Sequence, residues 1–136
     1  MADAKNGIEA IKSQFVSEMI NGQTYWFSES KLPAKDKSPT AYLLPNYDEY
    51  FIGFKDRSAI GEVARKANIA EDNPAFIAHI IILDDQIVGG WKRTIKKDSA
   101  IVELSLITKL TKVENRAVAA AAERYGAFLE LPVTLI

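Results

Sequence analysis

The chain has 136 residues, 48% of them hydrophobic and 26% charged, which fits one soluble domain and excludes two full ones. Lys+Arg 17 against Asp+Glu 18 leaves a net charge of −1, so no overall field holds the chain on a polyanion and any nucleic-acid role must be local. Cys 0 excludes disulfides, thiolate metal sites and cysteine nucleophiles, and His 1 leaves zinc sites and histidine triads poorly supplied, so no metal and no cofactor is expected.

The opening run Met1-Ala2-Asp3-Ala4-Lys5 lacks the apolar core of a signal peptide, and no apolar stretch reaches the ~18 residues of a membrane span. A cytoplasmic protein with no membrane partner is the default expectation. From Asp3 to Phe15, Ala4, Ile8, Ile11 and Phe15 recur at helical spacing behind Asp3 as N-cap, predicting an amphipathic helix. Met19-Ile20 and Tyr25-Trp26-Phe27 flank Asn21-Gly22, a dipeptide suited to a type I′ turn, so residues 17–27 read as a β-hairpin. A helix followed by a hairpin is the last helix and wing of a winged helix-turn-helix without its two preceding helices. The chain therefore reads as starting partway through a domain.

Residues 28–40, polar and punctuated by Pro33 and Pro39, have the composition of a linker or long surface loop. Ala41-Tyr42-Leu43-Leu44 is a short strand stopped by Pro45, and Tyr47, Tyr50, Phe51 and Phe54 sit at spacings of a helical turn with one buried face. Residues 57–68 read as weakly helical, with Ile60, Val63, Ala64 and Ala67 on one side, up to Asn73-Pro74.

Three strands follow. Phe76 to Leu83 is almost continuously apolar, as a strand covered on both faces is. Asp84-Asp85 turns the chain into Ile87 to Ile95, where Gly89-Gly90 predicts a bulge or bend. After Lys97-Asp98-Ser99, Ala100, Val102, Leu104 and Leu106 alternate with wetter residues. Thr111 and Glu114 form a capping box for a helix over Lys112–Leu129, with Ala117, Val118, Ala121, Ala122, Tyr125, Phe128 and Leu129 on its buried arc, and residues 132–136 add an edge strand.

Chemistry-bearing residues are few. Neither phosphate-cradling glycine motif occurs. His79 lies in an apolar strand, where a buried, hydrogen-bonded core histidine outweighs a catalytic one. Asp48 or Glu49 reads as a helix cap before a general base, and Asp56 as the partner of Lys55 or Arg57. Trp91-Lys92-Arg93-Thr94-Ile95-Lys96-Lys97 carries four cations and no anion, split between two strand faces, which suits phosphate contact and equally suits a lysine-protected strand end.

Leu43-Leu44-Pro45-Asn46-Tyr47-Asp48-Glu49-Tyr50, Lys55-Asp56-Arg57-Ser58 and Asp85-Gln86-Ile87-Val88-Gly89-Gly90-Trp91-Lys92-Arg93 together resemble the C-terminal part of bacterial winged-helix DNA-binding proteins related to the AlkZ-like DNA glycosylases. Asn21-Gly22-Gln23-Thr24-Tyr25-Trp26 resembles the wing before that part. The resemblance implies tandem winged helices scaffolded by a C-terminal β-rich domain around a DNA cleft, and metal-free excision of alkylated bases and unhooking of crosslinks. It also implies a catalytic Gln-x-Gln or Gln-x-Asp triplet, and none surrounds Gln14, Gln23 or Gln86.

The fold expected is α+β: a partial winged helix at 1–30, a linker at 31–40, and at 41–136 an antiparallel meander or partial barrel closed by the long helix. The function expected is a DNA-association scaffold that is not catalytic alone, binding duplex DNA through Tyr47, Lys55, Arg57, Lys92 and Arg93, with no catalytic residue of its own. Trp91 is expected in the core. Two rivals are an interaction module, dimerising through the partial winged helix or a sheet edge because Ile8, Ile11 and Phe15 need cover, and an enzyme using Asp48 or Glu49 as base.

Overall fold

The computed structural model describes residues 2–20, 22–29, 39–53, 55–66 and 79–136, which group into two units, 1–36 and 37–136. In the first unit, helix α1 (Ala2–Ile11) runs through a 3₁₀ turn (Lys12–Gln14) into strand β1 (Phe15–Ile20), which pairs antiparallel with β2 (Gln23–Ser28). The helix expected to reach Phe15 stops at Ile11, because Phe15 is already extended opposite Ser28 in the ladder. Asp3 lies in the first helical turn, not at the N-cap, where its carboxylate still meets the positive end of the helix. Gly22, at φ +80, supplies the left-handed turn residue, while Asn21 lies outside the described residues.

None of the described residues of this unit is buried. Ile8 and Ile11 are exposed, as are Met19, Ile20, Tyr25 and Phe27 of the hairpin. The side-chain contacts are surface ones: Lys12 Nζ lies 3.1 Å from Glu9 and 5.0 Å from the Trp26 ring centroid. Such contacts are worth a few tenths of a kcal/mol to about 1 kcal/mol each, so the ladder does most of the ordering.

The second unit is a curled five-stranded sheet in the order β3 (Ala41–Leu44), β4 (Ile80–Leu83), β5 (Gln86–Ile95), β6 (Ala100–Leu106), β7 (Val133–Leu135), with short helices α2 (Glu49–Ile52) and α3 (Glu62–Lys66) and the long α4 (Lys112–Leu129). The meander β3–β6 is antiparallel, as the sequence predicts, but β7 joins β6 in parallel. The reason is connectivity: α4 is the crossover that a parallel pair requires, returning the chain so that Val133 lies beside Ala100.

Asp84 and Asp85, at φ 45 and 64, make a two-residue hairpin between β4 and β5. The Asp84 carboxylate accepts the Thr40 amide at 2.8 Å, and its own amide donates to the Thr40 carbonyl at 3.0 Å. Thr40, which composition assigns to the linker, is thereby tied into the sheet, while residues 30–38 lie outside the described residues. The register passes from Ile81 opposite Gly89 to Ile82 opposite Ile87, leaving Val88 as a bulge. That extra residue is why Val88 and Trp91, three apart, reach the same cluster. At Gly89 a Cβ would collide with the Ser105 carbonyl oxygen, so the close approach of β5 to β6 needs glycine there.

Each face of β4 is covered, which explains its unbroken apolar run. Ile81 and Leu83 pack with Val88, Trp91, Val102 and the α4 residues Val118, Ala121 and Ala122, whereas Ile80 and Ile82 pack with Ile87 and Phe51 on the other face. Phe76 to Ala78, expected in the same strand, lie outside the described residues.

Helix α4 has the expected limits and its capping box: Glu114 N donates to Thr111 Oγ1 at 3.3 Å, and Thr111 N to Glu114 Oε2 at 2.6 Å. Phe128, expected on the buried arc, is 82% exposed. Ala117 and Ala121 lie on the same flank of the helix and reach the first cluster, so it is the position of Phe128 near the C-terminal end of α4, not its azimuth, that leaves it uncovered.

The aromatic turn also differs from expectation. Tyr47 precedes α2 with φ 58 and Tyr50 is exposed, so Phe51 is the aromatic that α2 buries, and Phe54 lies outside the described residues. Of the helix expected over 57–68, Glu62–Lys66 is helical, Ser58 to Ile60 form a turn, and Ala67 lies outside the described residues.

Candidate nucleic-acid interface

The charged residues nearest the sheet have distinct local jobs. Asp48 caps α2, its carboxylate accepting the Tyr50 amide at 2.9 Å, which is the structural reading of that residue. Asp56 makes no ion pair with Lys55 or Arg57, contrary to expectation. The loop turns back, so its carboxylate accepts the Ser58 amide at 3.0 Å; hydrogen bonds from the Ser58 backbone and hydroxyl hold its carboxyl below the usual range. Arg57 instead folds over the second cluster, with Nε donating to the Phe51 carbonyl at 2.7 Å and its guanidinium 4.5 Å from the Phe51 ring.

Tyr50 donates its hydroxyl to the Asp85 carbonyl at 3.3 Å, and burial, helped by the Asp85 charge, pushes that phenol up. Beside it, Gln86 Nε2 donates to the Ala59 carbonyl at 2.7 Å, while its Oε1 is buried without a partner.

Strand alternation separates the two cations of β5. Lys92 projects to the face opposite α4, where it stands across from Glu103. Arg93 projects to the α4 face, and its Nη1 donates to the Tyr125 hydroxyl at 3.1 Å. Tyr47 is 67% exposed in the turn after β3, and Lys55 is exposed near α2. The five expected contact residues thus flank the sheet on both sides and do not share one face.

Trp91 is the hub between these elements. It is 4% exposed, as expected of a core tryptophan, and its Nε1 donates to the Leu44 carbonyl at 2.9 Å. The rings of His79 and Tyr125 meet it edge-on, with centroids 5.0 and 5.2 Å away. His79 is half-buried at the entrance to β4, and burial together with the Arg93 charge lowers its imidazole below the ordinary value. Sequence reasoning placed Tyr125 on the buried arc of α4 but missed its hydroxyl as the partner of Arg93. The available signal was that Tyr125 is the one residue of that arc with a polar tip.

Among the described residues, no group of three or more His, Asp or Glu gathers as a metal site, and no helix is long and apolar enough to cross a membrane.

Comparison with known proteins places this geometry. No curated protein matches the chain. Among solved structures, the DNA glycosylase AlkZ of Streptomyces sahachiroi is similar at a TM-score of 0.60 and 18% identity, over 97% of this chain and 36% of that one. At that identity the likeness establishes the shared fold, and the chain spans about a third of that protein's length. The family model for AlkZ-like DNA glycosylases matches residues 1–128. The α+β sheet closed by a long helix and the match along nearly the whole sequence agree, and the chain belongs to the AlkZ-like DNA glycosylase family.

Proposed function

We propose that the chain is a DNA-association scaffold, equivalent to the C-terminal part of an AlkZ-like protein, and that it does not excise bases alone. The observation that carries this reading is the family match over residues 1–128, together with a span of 36% of the AlkZ chain. Residues 1–30 are read as the last helix and wing of a winged helix, 31–40 as the linker and 41–136 as the β-rich domain. The reading as non-catalytic alone is supported by the absence of a Gln-x-Gln or Gln-x-Asp triplet around Gln14, Gln23 and Gln86. It is also supported by the cap role of Asp48, whose carboxylate is engaged with the Tyr50 amide.

Tyr47, Lys55, Arg57, Lys92 and Arg93 are the proposed DNA contacts, reached around the rim of the sheet instead of across one face. The cations meet phosphates and exposed Tyr47 packs against the sugar or a base. Titration of a fluorescent duplex at two salt concentrations tests this: affinity should fall steeply as salt rises, because phosphate contact releases counterions. Absence of binding at low salt overturns it. Excision of alkylated bases by this chain alone would overturn the non-catalytic part.

A second reading, self-association through the partial winged helix at residues 1–30 or through a sheet edge, is favoured by the exposed Ile8, Ile11, Met19 and Phe27. Light scattering over a dilution series decides it, with a monomer at all concentrations counting against it.

A further inference from the structure

We propose that Arg93 and His79, seated on the Trp91–Tyr125 aromatic pair, form a phosphate-binding site on the α4 face of the sheet.

The argument begins with strand geometry. Trp91 N donates to the His79 carbonyl at 3.1 Å, so His79 stands directly across from Trp91 on the neighbouring strand. Arg93 is two residues beyond Trp91 on the same face, which makes it the diagonal neighbour of His79, within reach of a long side chain. Both side chains are referred to one rigid support. Trp91 is fixed by its bond to Leu44, His79 and Tyr125 pack edge-on against its ring, and Tyr125 in turn holds Arg93 through its hydroxyl.

Charge supplies the second step. Arg93 is held by a neutral hydroxyl, and among the described residues no carboxylate lies within ion-pair distance of it. A guanidinium oriented by one nitrogen keeps its other donors for a planar or tetrahedral oxyanion, so it is prepositioned without being neutralised. Lys92 stands across the ladder from Glu103 on the other face without an ion pair to it, so what sets Arg93 apart is the Tyr125 hydroxyl that orients it.

The imidazole gives the site its pH response. The groups around His79 are the Trp91 ring and Arg93 from β5, Tyr125 from α4 beyond that ring, and from β3 the Leu44 carbonyl bonded to Trp91. Burial first, and after it the Arg93 charge, disfavours the His79 cation. A phosphate between the two offsets the Arg93 charge and favours the protonated imidazole, so binding takes up a proton. The ligand chemistry is a phosphate oxyanion, from a nucleic-acid backbone or from free phosphate. The backbone case deepens the DNA reading and rests on it; the free-phosphate case does not.

His79 is the single histidine of the chain, so its imidazole proton resonances are unambiguous. The experiment follows them by NMR in the full chain at pH 6 and pH 8 while inorganic phosphate, or separately a short duplex DNA, is added. A shift of the His79 resonances, with tighter duplex binding at pH 6, is expected. Arg93→Gln should abolish the shift, and Tyr125→Phe, which keeps the ring and removes only the hydroxyl, should weaken binding roughly three- to tenfold. His79→Gln should remove the rise in duplex affinity between pH 8 and pH 6. Lys92→Gln should weaken duplex binding without silencing the His79 response.

If neither probe moves the His79 resonances of the folded protein, the proposal is overturned. If the duplex binds but Arg93→Gln changes nothing, the proposal fails while the DNA reading stands. If inorganic phosphate gives the Arg93-dependent shift and the duplex does not bind, the site stands and the DNA reading fails.

Discussion

Residues 1–36 and 37–136 have comparable local order and opposite interiors. The first unit has a ten-residue helix and a six-pair hairpin, yet none of its described residues is buried. The second closes two apolar clusters, one on each face of β4, and leaves Ile80, Ile81, Val102 and Val118 almost without solvent contact. Backbone hydrogen bonds are available to both, but each is worth only about 1 kcal/mol net, against conformational entropy of about 1–2 kcal/mol per ordered residue. The excess must come from buried apolar surface, at roughly 25 cal/mol per Å². The lesson is that the second unit carries its own folding free energy, whereas the first follows the local rules of helix and hairpin with little to add to it.

This contrast can be broken by substitution. The largest effect should come from Ile81→Ala, which removes a side chain with no exposed surface between β4 and α4. A loss of about 2–5 kcal/mol is expected in denaturant unfolding, against a change within about 0.5 kcal/mol for Ile8→Ala on α1. Equal losses at the two positions would show that Ile8 is covered in solution and erase the contrast.

Gly89→Ala should come next, at about 1–3 kcal/mol, because its Cβ meets the Ser105 carbonyl at the bulge and neither backbone can yield cheaply. Thr111→Ala should cost about 1 kcal/mol by opening the capping box of α4, a loss read as a lower unfolding midpoint with unchanged denaturant slope. Lys12→Ala should be the smallest change, a few tenths of a kcal/mol, since both its partners are at the surface.

Protonation sharpens the same comparison, because each of the two shifted groups bearing on it lies in the second unit. The folded state lowers the His79 imidazole, so the unfolded chain binds a proton more readily. Its contribution is present above the ordinary histidine value of about 6.5 and is lost as pH falls through the lowered folded value. Asp56 behaves as a carboxylate with a lowered value: its contribution is present above the ordinary carboxylate range and lost as pH falls through the folded one. Stability measured between pH 8 and pH 3 should therefore decline in two steps, and His79→Gln should remove the upper one.

Much of the second unit is legible in the residues themselves. The unbroken apolar run ending at Leu83 announces a strand covered on both faces, Gly89-Gly90 points to the bulge that falls one residue earlier, at Val88, and Thr111 with Glu114 announces the start of α4. Each of these signals acts over a few residues, through backbone hydrogen bonding or side-chain periodicity. The errors arise where distance in sequence matters. Phe128 satisfies helical spacing, and Ala117 and Ala121 on its flank are packed, but it stands near the end of α4 and is left uncovered. Phe15 satisfies the helical spacing of α1 yet is claimed by its cross-strand pairing with Ser28. Of the candidate residues, the composition of the Lys92–Arg93 segment is visible in sequence, but the different surroundings of the two cations are not.

The sequence by itself determined the kinds of element, their order and the poverty of metal ligands, because propensity, capping and period-two alternation are properties of neighbouring residues. Only the tertiary structure decided that β7 lies parallel to β6, that Arg57 folds over Phe51, and that Arg93 meets a hydroxyl 32 residues away on α4. The physical reason is that such contacts depend on how α4 crosses between β6 and β7 and on which strand face a bulge exposes. Those are outcomes of packing two covered faces at once, and no short stretch of residues encodes them.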